Sequence, residues 1–196
     1  MTLVGLIISY LIGAISGSYI LGKVFLKKDV RLFGSGNAGT TNAMRAFGKK
    51  WGILTFIIDF LKGIICVLIL EKIFNFEGYI LLLGILICIL GHDFPFYMKF
   101  KGGKGVATTI GSFLMLNFNL TFICVLVWAI STIVTKMVSL GSILFFVSLS
   151  VIFICFYYTN ISAILVFLIS LLGIFQHRSN IYRIINKTEN KIGAKK

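Results

Sequence analysis

The chain has 196 residues, 58% of them hydrophobic and only 13% charged, and its mean hydropathy is +1.01. So few charges cannot cover the surface of a water-soluble globule, and a membrane β-barrel would need short alternating segments that are absent. The formal net charge of +13 lies almost entirely in loops, so it reports sidedness.

A bilayer core is about 30 Å thick and a helix rises about 1.5 Å per residue, so roughly 20 apolar residues cross it. The expected architecture is an all-α, polytopic integral membrane helical bundle, forming a single domain over residues 1–196. Seven spans are predicted: Leu3–Leu21, Trp51–Leu70, Gly78–Leu90, Val106–Leu116, Leu120–Thr135, Met137–Tyr157 and Ile161–Phe175. No Lys or Arg precedes the first, and no small-residue cleavage site follows it, so it reads as a retained helix and not a signal peptide. Within it, Gly13 and Gly17 have the small-xxx-small spacing of close helix packing. Inside the second, Asp59 and Lys62 lie three apart, an expected structural pair whose charges neutralise one another. Val106–Leu116 is short unless Gly102–Gly105 or Asn117–Asn119 extends it, and five or six spans are the alternatives. The four cysteines stand singly in apolar runs with no C-x-x-C pair, so neither a metal site nor a disulfide framework is expected.

Seven basic residues follow the first span, three follow the third, Lys136 follows the fifth and six lie in the tail, whereas only Lys72 lies on the opposite side. Basic loops stay cytoplasmic. This predicts an outside N-terminus, a cytoplasmic C-terminus and an odd number of spans.

Three polar segments then fall on the cytoplasmic side. The first, "GSGNAGTTN" at 34–42 followed by Arg45, spells G-x-G-x-x-G, but no strand precedes it, so the dinucleotide reading fails. What remains is a glycine-rich nest of backbone N–H groups suited to an anion, with Ser35, Thr41 and Asn42 as further donors. Thr41 or Asn42 is expected to cap a helix whose first turn carries Arg45. The second runs from "GHDFP" at 91–95 to "KGGKGVATT" at 101–109. It departs from Walker A, having Gly105 where a Ser or Thr is required. It still offers a Gly-rich turn opening a helix, with Lys104 at the positive end. The third, "QHRSNIYR" at 176–183, continues to Glu189 and Lys191. On a helix, His177 and Asn180 share a face.

Taken together these segments resemble the three signature motifs of the bacterial acyl-phosphate:glycerol-3-phosphate acyltransferase family, over essentially the whole chain. Departures are small: Lys187 stands where the family commonly has glycine, and Thr40 where it often has alanine. The resemblance implies transfer of a fatty acyl group from acyl phosphate to the sn-1 hydroxyl of glycerol 3-phosphate, giving lysophosphatidic acid and phosphate. The H-x-x-x-x-D motif of other glycerol-phosphate acyltransferases is absent, since Tyr97 and Tyr182 stand five residues past His92 and His177.

Acyl phosphate is already an activated anhydride, so the residues need only hold two phosphates, stabilise the leaving group and align a hydroxyl. By resemblance and chemistry together, Asn180, His177 and Lys104 are the expected catalytic residues. The expected phosphate-binding set is Ser35, Gly36, Asn37, Gly39, Thr41, Asn42, Arg45, Gly102, Gly103, Lys104, Ser142 and His177. The general base is His177 or a phosphate oxygen of the substrate. No cofactor and no metal is expected, because no carboxylate cluster is present to hold one. The expected partners are acyl phosphate, glycerol 3-phosphate and the lipid bilayer, with room for a soluble acyl-phosphate-producing enzyme and none for nucleic acid. The implied location is the bacterial cytoplasmic (inner) membrane, with the active site at its cytoplasmic face. A small anion transporter or channel is the rival, but it predicts polar residues at mid-membrane on several helices, and one helix supplies both Asp59 and Lys62. A membrane-anchored nucleotide-binding protein fails with the Walker A and Rossmann contexts.

Overall fold

A computed structural model of the chain describes residues 1–156 and 160–193. Among these are ten α-helices, two short 3-10 turns and no strand. An integral membrane chain that closes no barrel must satisfy its backbone within helices in this way. The Tyr157 end of the sixth expected span, and Lys195 and Lys196 of the basic tail, lie outside the described residues. The chain divides into two compact units, Met1–Met115 and Leu116–Lys196.

The first unit contains α1 (Thr2–Ala14), α2 (Gly17–Phe25), α3 (Thr40–Phe47), α4 (Lys49–Lys72), α5 (Gly78–Asp93) and the body of α6 (Val106–Leu116). The expected span Leu3–Leu21 is not one helix. It breaks at Ile15 and Ser16, and α1 and α2 are bent by 51°. A break inside a bilayer leaves carbonyls and N–H groups without partners, each costing several kcal/mol. Here α4 supplies them. Lys62 Nζ donates to the carbonyls of Gly13 and Ile15 at 2.8 and 2.6 Å, and Asp59 Oδ1 accepts the Gly17 N–H at 3.3 Å. The Tyr97 hydroxyl donates to the Ala14 carbonyl at 2.8 Å, and the Ser16 side chain caps α2. Gly13 and Gly17 consequently do not form one packing stripe. A side chain at Gly13 would collide with the Cys88 backbone of α5, whereas Gly17 approaches Thr55 and Ile58 of α4.

The expected span Val106–Leu116 is a helix of 11 residues, about 16 Å long and far short of a bilayer core. Neither flank extends it. Residues 101–104 form a loop, and Asn117 caps the next helix by accepting the Leu120 N–H at 3.0 Å. By length and composition, four described helices suffice to cross a membrane, or six if each of two bent pairs is one span.

The second unit contains α7 (Phe118–Thr135), α8 (Val138–Phe156), α9 (Asn160–Gln176) and α10 (Arg178–Ile185). Phe145, Phe146, Leu149 and Phe153 of α8 are fully buried. Gly173 of α9 admits the Phe146 ring, which any larger residue there would strike. Conversely Phe118, Phe122, Ile130, Ile133 and Val134 of α7 are exposed, an apolar face suited to lipid. Helices α9 and α10 are bent by 56° at His177.

Candidate phosphate-binding site

In the first unit, residues 34–39 make a tight loop that runs into α3. Gly34 and Gly36 take φ of +58° and +73°, a left-handed conformation that costs other residues roughly 1–2 kcal/mol. Helix α3 starts at Thr40 with Gly39 as its cap residue and no side-chain cap. The expectation that Thr41 or Asn42 caps it does not hold, because Gly39 already supplies the extended backbone a cap position needs. Asn42 lies inside the first turn and bends back into the loop. Its Oδ1 accepts the Ser35 N–H at 2.8 Å, and its Nδ2 donates to the carbonyls of Val30 and Phe33 at 3.1 and 3.0 Å. Both amide hydrogens are committed, so Asn42 shapes the loop from within. The Gly36 N–H likewise bonds the Phe33 carbonyl at 3.1 Å. The donors that suit an anion are therefore the N–H groups of the first turn, Thr40 to Asn42, which have no intrahelical acceptor. Arg45 is exposed and sits in the last turn of α3, not its first, four residues from Thr41 and on the same side.

The second polar segment seats directly on this loop. The Gly102 carbonyl accepts the Ala38 N–H and the Asn37 side-chain Nδ2, both at 3.1 Å. Arg31 donates to the Met98 carbonyl at 2.6 Å while holding Asp29 through a paired contact at 2.8 and 3.0 Å. The hydrogen bond from Arg31 holds the Asp29 carboxyl below its ordinary value against the opposing effect of burial. Val30, Ala38, Ala43 and Met98 form the buried apolar floor beneath both loops. Gly102 and Gly103 fold back on the end of α5, their N–H groups bonding the carbonyls of Asp93 and His92 at 3.0 Å each. Lys104 is half-buried next to Gly105, whose carbonyl accepts the Thr109 N–H at 2.8 Å and so opens α6. Ser35, Gly36, Asn37, Gly39, Thr41, Asn42, Gly102 and Gly103 are thus gathered into one pair of interlocked loops. Asp59 and Lys62 pair at 3.0 Å beneath them, and His92, to which sequence reasoning gave no role, joins that pair.

The second unit gathers the remaining candidates at the α9–α10 bend. The His177 Nδ1 lies 2.7 Å from the Gly173 carbonyl. A carbonyl only accepts, so Nδ1 carries a hydrogen, and in the neutral ring the basic lone pair is on Nε2. Asn180, buried, donates from Nδ2 to Glu189 Oε1 at 2.9 Å. The same oxygen accepts the Ser139 hydroxyl of α8 at 3.0 Å, and Oε2 accepts Arg183 Nε at 2.8 Å. Burial pushes the Glu189 carboxyl up, but the hydrogen bonds from Asn180, Arg183 and Ser139 outweigh it and hold the group below its ordinary value. Ser142, one turn beyond Ser139, is buried and donates to the Val138 carbonyl at 2.9 Å. Glu189 lies within the third segment, where its residue type alone implies no role. The available signal was a lone acid in a basic tail.

Comparison with known proteins gives a consistent result. The family model described as glycerol-3-phosphate acyltransferase matches residues 3–187. The glycerol-3-phosphate acyltransferase of Ehrlichia ruminantium (strain Gardel) is 42% identical over 189 residues, covering 96% of this chain and 95% of that one. Crystal structures of PlsY (YgiH), an integral membrane glycerol 3-phosphate acyltransferase, are similar throughout. Its glycerol 3-phosphate form has a TM-score of 0.90 at 37% identity, covering 98% of this chain and 96% of that one. Its lysophosphatidic acid form has a TM-score of 0.87 at 36% identity, with 98% and 95% covered.

Proposed function

The chain belongs to the glycerol-3-phosphate acyltransferase family, and from that premise we propose that it takes its acyl group from acyl phosphate. The glycerol 3-phosphate and lysophosphatidic acid forms of the PlsY structures support substrate and product of this kind here. In the reaction the sn-1 hydroxyl oxygen bonds to the acyl carbonyl carbon, and the bond from that carbon to the phosphate oxygen breaks. Phosphate leaves with the electron pair, and the hydroxyl proton passes to a base. No acyl-enzyme is needed, because the donor is already activated. The observation that carries this reading is the interlocking of the two glycine-rich loops through the Gly102 carbonyl. It sets the open N-terminus of α3 and the Lys104 loop side by side, an N–H-rich seat beside an ammonium, suited to a dianion.

In the first unit, the first turn of α3 and Lys104 hold the acyl-phosphate phosphate, with Lys104 also stabilising the leaving charge. Gly102 and Gly103, whose N–H groups bond the Asp93 and His92 carbonyls, shape the loop that carries Lys104. Arg45, exposed and on the Thr41 side of α3, binds glycerol 3-phosphate together with Lys104. In the second unit, His177 binds glycerol 3-phosphate and serves as one of two candidate bases, the other being a substrate phosphate oxygen. Asn180, its amide oriented by Glu189, aligns the hydroxyl or polarises the carbonyl. Ser142 is a further phosphate contact. The active site faces the cytoplasm of a bacterial inner membrane, where a soluble enzyme can supply acyl phosphate. The test is purified protein in detergent with palmitoyl phosphate or palmitoyl-CoA and glycerol 3-phosphate. Lysophosphatidic acid and phosphate should form with the first donor only. Product from palmitoyl-CoA at equal rate, or no product from palmitoyl phosphate, overturns the proposal.

A further inference from the structure

Lys62 places an ammonium inside a membrane helix, at about 2.5–3.5 kcal/mol or more if nothing answers it. It is answered completely. Besides Asp59 at 3.0 Å and the two carbonyls of the α1–α2 break, Nζ lies 2.7 Å from His92 Nδ1. An ammonium only donates, so Nδ1 accepts, and the His92 ring carries its hydrogen on Nε2. That ring is buried at the end of α5, and its far side lies against Gly103: a Cβ there would collide with Nε2 and its neighbouring ring carbons. His92 also accepts the Gly103 N–H through its own carbonyl at 3.0 Å. The ring cannot turn without leaving either Lys62 or the loop.

We infer that His92 is a positioning residue for the phosphate-binding loop, its ring fixed by Lys62 so that Gly102–Lys104 is held at the height its ligand requires. The inference rests on the phosphate role proposed above for that loop. It makes the buried Asp59–Lys62 pair part of the substrate site at one remove, beyond its service to the helix break.

Three variants of the full chain in detergent, assayed with palmitoyl phosphate and glycerol 3-phosphate, separate this from a role in folding alone. His92→Asn keeps an oxygen where Nδ1 stands. His92→Gln moves it one carbon outward, and His92→Leu removes it. Asn keeps the acceptor for Lys62 but not the ring atoms that lie against Gly103, so all three variants should raise the apparent KM for phosphate substrate about ten- to hundredfold, with a smaller change in kcat. If Leu does not accumulate as folded protein, the Asn and Gln pair decides. KM values equal to that of the wild type, a loss confined to kcat or to the yield of folded protein, or an Asn variant that fails to fold overturns the inference. An inactive wild type would instead strike the proposed reaction, and this inference with it.

Discussion

A histidine at a helix end has two common lives, as an interfacial residue or as a base, and its hydrogen bonds distinguish them. His177 is buried, and its Nδ1 hydrogen is directed to the Gly173 carbonyl at 2.7 Å, which fixes the ring and orients Nε2 as the basic nitrogen. The same logic, a backbone carbonyl setting the tautomer, is how catalytic histidines are prepared. His177→Ala should therefore lose about 10²- to 10⁴-fold in kcat at saturating glycerol 3-phosphate, the usual range for a general base. A change confined to apparent KM would make His177 a binding residue and leave the substrate phosphate as base. Steady-state kinetics over a full range of both substrates decides between them.

Among the elements, the tail after α10 is held by one carboxylate. Glu189 receives Ser139 from α8, and Asn180 and Arg183 from α10. Three donors converge on two oxygens, so the group is wanted ionised. Replacing it by Gln turns an amide N–H₂ toward one of those donors and should lower stability by about 1–3 kcal/mol. The pH dependence follows from the sign of the shift. The folded carboxyl lies below its ordinary value of 4.5, so the folded state holds fewer protons than the unfolded state in that window. The clasp's contribution is present above pH 4.5 and disappears as pH falls through the lower folded value. Thermal unfolding in detergent from pH 7 to pH 3 should show this decline in the wild type and a flatter profile in Glu189→Gln. Parallel slopes would mean that another acid carries it.

For the whole chain, charge placement decides how it lies in the bilayer. Basic residues cluster after the first span, after the third and in the tail, while the turn after α4 carries Lys72 between Glu71 and Glu77. Because basic loops stay cytoplasmic, the expected orientation is a cytoplasmic C-terminus and an outside N-terminus. Reporters fused at the C-terminus and within residues 73–77 should score cytoplasmic and external respectively. The same side for both would overturn the orientation. Counting the 11-residue α6 and its neighbour together as a re-entrant pair leaves this outcome unchanged, whereas removing α6 alone as a span would put both reporters on one side.

Composition and hydropathy alone determined that the chain is helical and embedded in a membrane, because a bilayer admits few other solutions for so apolar a sequence. The glycine-rich and basic segments were likewise legible, since glycine, lysine and histidine announce phosphate chemistry by type. What each residue does within those segments was not. Asn42 has the composition of an anion ligand or a helix cap, yet three bonds to Ser35, Val30 and Phe33 make it the brace of its loop. His92, an unassigned part of a motif, stands between Lys62 and Gly103. Leu3–Leu21 reads as one uninterrupted helix, and partners distant in sequence, Asp59 and Lys62 of α4 and Tyr97, allow it to break. Local pattern reflects the water-to-lipid preference of each residue, a property of the residue itself. Which carbonyl meets which ammonium is decided by groups 47 and 49 residues apart, and such pairings exist only once the helices have packed.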